Sequence, residues 1–120
     1  MMKNNLGELF FKHKEHQKKY DNFINITGNH NSVYYISALF LLASLDWKEK
    51  IIAEHLAPSQ IKFKELHNVS GAWSSSEQAI VALAANLFND TWKADVSESL
   101  EPLDNANIKV ALAALKIRFI

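Results

Sequence analysis

Apolar residues recur at helical spacing along most of the chain. Between residues 6 and 24, Leu6, Leu9, Phe10, His13, Tyr20 and Phe23 or Ile24 mark one side of a helix. Lys12, Lys14, Glu15, Lys18, Lys19 and Asp21 mostly fill the other. Thr27 to Asn31 is turn chemistry, with Gly28 supplying a positive φ. Residues 32 to 45 do not alternate as a strand would. Their length and Ala/Leu content predict a central helix, apolar on nearly every side. Asp46 and Glu49 form a capping box, which predicts a helix from Trp47 to Leu56. Trp47, Ile51, Ile52 and Leu56 would face inward, and Pro58 would end it.

Residues 59 to 73 fit one helical turn or a short extended piece equally, with Gly71 as punctuation. Ser74 and Glu77 form a second capping box, and Ser75 with Gln78 offers the same signal one residue later. The Ala-rich helix that follows runs to about Asn89 and suits close packing against 32–45. An acidic connector spans Asp90 to Asp104, pinned by Val96, Leu100 and Leu103. Asp104 or Asn105 caps a last helix, Ala106 to about Phe119. Ile108, Leu112 and Leu115 mark one face of it, and Lys116 and Arg118 in its final turn suit the helix dipole. The prediction is one all-α domain over residues 1–120, without strands. It is a compact bundle of about five helices, two apolar central ones wrapped by three amphipathic ones.

Several stretches together resemble one family. They are His13-Lys14-Glu15-His16 with Tyr20 and Phe23, Tyr35-Ile36-Ser37-Ala38-Leu39-Phe40, and Ile61-Lys62 with Leu66. Further along come Trp73-Ser74-Ser75-Ser76, Leu83-Ala84-Ala85-Asn86-Leu87-Phe88-Asn89, and Leu103-Asp104 followed by residues 111–119. The pattern looks like a small all-helical domain of unknown function from Firmicutes and their phages. The resemblance implies a bacterial or phage protein with no assigned activity, and supplies no catalytic residues. Family members tend to carry a basic residue after the Ser run, where this chain has Glu77.

Composition narrows the function classes. The 120 residues are 48% hydrophobic with three Gly and two Pro, which excludes a linker or disordered tail. A folded chain of 13.6 kDa exposes roughly 6,600 Å² of about 20,000 Å² when unfolded, enough burial for a core. The absence of Cys excludes disulfides, thiolate metal sites and a Cys nucleophile. Charge interrupts the apolar residues near Met1 before a secretory core forms. The longest apolar stretch, Val33 to Leu45, is shorter than the ~20 residues that span a bilayer. A cytoplasmic protein is expected. The net charge of zero is a cancellation. Residues 1–30 carry five Lys against three acids, whereas Asp90 to Asp104 carries five acids against Lys93.

Candidate chemistry is sparse. His13 and His16 lie three residues apart on one helix and could share a metal, but His30, His55 and His67 add no ligand spacing. Packing at the core boundary explains the pair better, and no metal or other cofactor is expected. Glu54-His55 and Glu65-x-His67 would serve acid–base chemistry only through tertiary coincidence. Three distant glycines cannot build a phosphate loop, and Glu77 opposes an anion at the Ser74–Ser76 helix start. Lys12, Lys14, Lys18 and Lys19 form a basic patch for weak, sequence-nonspecific nucleic-acid contact. With Arg118 the only Arg, base reading is not expected. Trp47, Trp73 and Trp92 stand at helix starts or ends, where Trp commonly pins a loop. An exposed one would anchor an interface, and Trp73 and Trp92 are the candidates. The expected function is a non-enzymatic module that binds another protein or a second copy of itself, through apolar helix faces and the Ile117, Phe119, Ile120 end.

Overall fold

The first clear departure from the sequence pattern is where the first helix begins. The computed structural model describes residues 11–120, so residues 6 to 10, predicted to open that helix, lie outside the described residues. Helix α1 is Lys14–Thr27, because the His13 side chain accepts from the His16 N–H and caps it. It outruns the predicted end and stops at Gly28, whose φ of 78° lets its N–H close on Ile24 O.

Helix α2 (Val33–Ala43) is capped by Ser32 and is buried along nearly its whole length, as expected of a central helix. The predicted helix from Trp47 to Leu56 is corrected to α3, Glu49–Ala53. Asp46 does not cap it, since its carboxylate is taken by His13 and Lys12. Trp47 does not face inward but is 97% exposed. Beyond α3 the chain forms a minimal hairpin, β1 (Leu56–Ala57) with β2 (Gln60–Ile61), Leu56 opposite Ile61 and Ala57 opposite Gln60. The prediction of no strand is corrected here. Pro58 pushes Ala57 toward extended geometry. Ser59, at φ 55°, donates its N–H to Thr27 O at 2.8 Å and ties the turn to α1.

Both readings of residues 59–73 are realised in turn, since β2 is followed by α4 (Phe63–Ser70). Helix α5 (Ser75–Phe88) starts at the first of the two predicted boxes, with Ser74 and Glu77 satisfying each other. Gln78 instead donates to Gly71 O and Trp73 O, closing the preceding turn. In the acidic connector, α6 (Val96–Leu100) is capped by Asp95. Leu100 and Leu103 pack on the core as predicted, but Val96 is exposed.

Helix α7 (Asn105–Phe119), capped by Asp104, turns the face opposite to the predicted one inward. Val110, Ala111, Ala113, Ala114 and Ile117 are buried, whereas Leu112 is exposed and Ile108 and Leu115 are half-buried. Small residues let helix axes approach closely, so the Ala-rich face wins the contact and the larger Leu stays outside. At the apolar end expected to serve in binding, Ile117 is buried and Phe119 and Ile120 are exposed.

The architecture is the predicted bundle, with α2 and α5 packed together at its centre and α1 and α7 also packed on α2. The core runs through Phe23, Phe40, Leu41, Leu42, Ile80, Val81 and Val110. The accessible surface is 6709 Å², close to that expected for a folded chain of this mass.

Candidate functional site

The carboxyl end of α2 gathers the histidines and lysines of the predicted patch. The last turn of α2 contains no basic residue, so nothing within it opposes its dipole. Its final N–H groups bond three residues back, Ser44 N–H to Leu41 O, which leaves Phe40 O open. His16 fills that gap, its Nε2 lying 2.8 Å from Phe40 O. The Lys12 N–H donates to His16 Nδ1 at 2.9 Å, so Nδ1 is the acceptor and Nε2 carries the proton. Lys12 Nζ donates to Ser44 O at 3.0 Å, and Lys19 Nζ to Leu45 O at 2.7 Å. Three basic side chains from the α1 region thus cap a helix that has none of its own.

Burial follows from these roles. His16 is 0% exposed, with its ring centroid 5.1 Å from that of Phe11 and 4.7 Å from that of Phe40. Desolvation drives its pKa down to about 4, and the Lys12 and Lys19 charges push the same way against the Phe40 bond. Lys19, placed by pattern on the polar side of the helix, is only 6% exposed. Desolvation lowers its pKa, while the Asp46 and Glu49 charges resist.

His13 and Asp46 form a second layer, Nε2 to Oδ1 at 3.0 Å. Burial opposes the Asp46 charge, but the His13 hydrogen bond and the Lys12 cation outweigh it and hold the carboxyl below its ordinary range. The pair resembles the orienting half of an acid–base dyad. However, His13 Nδ1 already accepts from the His16 N–H, so this imidazole has no lone pair left for a substrate proton. Among the described residues, no group of three or more His, Asp or Glu is placed to hold a metal ion.

The same corner carries the most exposed aromatic residue of the described chain. Trp47 has φ 64°, a left-handed conformation that disfavours any side chain. It stands between two open grooves, which share no wall residues except Trp47 and Lys50. One, of about 850 Å³, is lined by His13, Lys14, Glu15, Lys19, Asp46, Trp47, Glu49 and Lys50. The other, of about 400 Å³, is lined by Trp47, Lys48, Lys50, Ile51, Glu54 and Trp73. Lys48 bridges Glu77 at 3.5 Å and lies 5.0 Å from the Trp73 ring centroid.

The predicted site residues are therefore divided. Lys14, Lys19 and Trp73 come together around Trp47, and Lys12 lies behind them. Lys18 is exposed but lines neither groove. Trp92 stacks on His67 at 4.6 Å and 11°, half-buried, and accepts from Asn86 at its carbonyl. It is a loop pin. The residue that pattern reading missed is Trp47. The signal was present, since Asp46-Trp47 falls between two helices, but the capping-box reading absorbed it.

Among the described residues no helix is long and apolar enough to cross a membrane. No curated protein and no solved structure matches the chain. A family model does match residues 6–119, and the chain belongs to that family of unknown function, DUF6075.

Proposed function

We propose that this chain is a non-enzymatic, cytoplasmic interaction module of bacterial or phage type, and that it docks another protein at the Trp47 ridge. The motifs resembling a family from Firmicutes and their phages support the source. The observation that carries the docking reading is Trp47 itself, 97% exposed and held at φ 64° between two grooves. Exposed Trp contributes nothing to a core, and Trp is the residue most enriched among interface anchors. Backbone strain of this kind clusters at functional positions. The rims alternate in sign, with Lys14 beside Glu15 and Glu49 beside Lys50. That pattern fits a protein surface bearing both charges and fits a polyanion poorly.

The nucleic-acid reading loses ground on the same geometry. Lys12 and Lys19 point their ammonium groups at helix carbonyls, so only Lys14 and Lys18 of the four are exposed toward a phosphate. The test is affinity capture from native cells with the unaltered chain and with Trp47→Ala. A stoichiometric protein partner should be recovered with the first and lost with the second. Recovery that ignores the substitution, or no partner at all, overturns the proposal.

A further inference from the structure

Trp47 is strung between two neighbours that are anchored to different elements. On its amino side, consecutive residues are held from the α1 region. Lys12 Nζ donates to Ser44 O at 3.0 Å and Lys19 Nζ to Leu45 O at 2.7 Å. The Asp46 carboxylate takes His13 Nε2 at 3.0 Å and Lys12 Nζ at 3.6 Å. On the carboxyl side, Lys48 is held by the start of α5. Its Nζ lies 3.5 Å from Glu77, in the first turn of α5, and 5.0 Å from the ring centroid of Trp73, just before that helix. Lys48 stands at the N-cap position of α3 but makes no side-chain cap bond there. Both flanking side chains thus serve distant elements rather than the helix they precede.

We infer that Asp46 and Lys48 are positioning residues for the docking ridge, whose two ion pairs keep Trp47 outward in its left-handed conformation. An L residue at φ 64° relaxes toward negative φ unless its flanks forbid it. Rotation about the Trp47 N–Cα bond swings residue 46 against residue 48. With Asp46 tied to the α1 region and Lys48 to α5, that rotation breaks one pair or the other. A half-exposed ion pair and a left-handed residue differ little in energy, so one pair barely offsets the strain and both are needed. The anchors are also groove walls. His13 and Asp46 line the larger groove, and Lys48 and Trp73 the smaller. Ridge and grooves are therefore set by the same contacts. The purpose of the arrangement rests on the docking reading, but its test needs no partner.

NMR on the isolated chain reads the Trp47 conformation directly. A positive φ brings an amide proton close to its own Hα and gives a strong nuclear Overhauser effect between them. The unaltered chain should show this signal at Trp47 and at Ser59, whose φ is 55°. Asp46→Ala combined with Lys48→Met should lose it at Trp47 and keep it at Ser59. Each substitution alone should weaken it. Lys48→Arg, which keeps the charge and the ring contact, should retain it. Thermal melts should change little, because such pairs contribute little to stability. A full Trp47 signal in the double variant overturns the inference. If the double variant unfolds and the Ser59 signal goes too, the single variants decide, and equal Trp47 signals in Lys48→Met and Lys48→Arg overturn it. A Trp47 signal that follows the anchors while affinity capture finds no partner supports this inference and sinks the docking reading alone.

Discussion

The two central helices end in the same difficulty and resolve it differently. Neither α2 nor α5 has a basic residue in its last turn. Each borrows one from a wrapping element. At α2 the donors are His16, Lys12 and Lys19, and two of them are buried. At α5 the donor is Arg118, whose Nε lies 3.0 Å from Leu87 O while its guanidinium lies beside Tyr34 and Phe119. In the first corner the His16 and Lys19 bonds are buried and serve stability beneath the exposed Trp47. The second stays at the surface, so the Tyr34 and Phe119 rings are left exposed. The same electrostatic need is thus met by buried bonds in one place and by a surface stacking arrangement in the other.

Removing one donor from each corner tests whether the two differ in kind. His16→Ala takes away a ring packed between Phe11 and Phe40 and leaves the Lys12 N–H and Phe40 O without partners. A loss of about 3–4 kcal/mol in denaturant unfolding is expected. Arg118→Ala gives up one charged hydrogen bond and a surface stacking contact, for about 1–2 kcal/mol. Equal losses would mean that the corners do not differ in kind.

Acid should separate them next. His16 titrates near 6.5 when unfolded and at about 4 when buried. Between those values the unfolded chain holds a proton that the folded chain does not. Stability is therefore complete above the unfolded value and falls as pH drops toward the folded one, by about 3 kcal/mol in all. Urea midpoints across that window measure the fall. His16→Gln, which keeps a donor and an acceptor but does not titrate, should flatten it. Asp46 and Glu77, both held below the ordinary carboxylate range, add a further loss that begins at the acid end of this window and continues below it.

Adjacent lysines give a finer cut. Lys18 and Lys19 are neighbours in sequence, and periodicity alone puts both on the solvent side. Lys19→Ala loses a buried charged bond and the packing of its stem, so about 2 kcal/mol is expected. Lys18→Ala should stay within about 0.5 kcal/mol of the unaltered chain. Matching thermal shifts in the two variants would remove Lys19 from the α2 cap.

What was legible in the sequence divides along the same physical line. Ser32, Ser74, Asp95 and Asp104 cap helices through bonds to their own near neighbours. The Ser74–Glu77 box and the Asp104 cap could therefore be read from spacing alone. The apolar run of α2 announced a central helix because nothing in it tolerates water. Asp46 failed as a cap because a residue 33 positions away, His13, competes for its carboxylate. The face of α7 was misread because side-chain size, which favours Leu as core, lost to the close approach that Ala permits. Nothing local marks Lys19 as buried, since its partner, Leu45 O, lies 26 residues on. Of the candidate site, Lys14, Lys19 and Trp73 were legible, whereas Trp47 required the tertiary contest over Asp46 to be known.

The smallest effect bears on the Trp47 ridge. At φ 64° an L side chain costs roughly 1 kcal/mol relative to glycine, which adopts this region freely. Trp47, at 97% exposure, recovers none of that cost by packing. Trp47→Ala should therefore unfold at nearly the same denaturant concentration as the unaltered chain, with the same slope. Trp47→Gly should exceed Trp47→Ala by about 0.5 kcal/mol at most, the relief of strain less the added freedom of the unfolded chain. Both should lose the partner. A variant that gains stability while losing binding is the signature of a residue kept for function at the expense of the fold. If Trp47→Gly proves less stable than Trp47→Ala, the turn is not strained. The ridge would then rest on exposure alone.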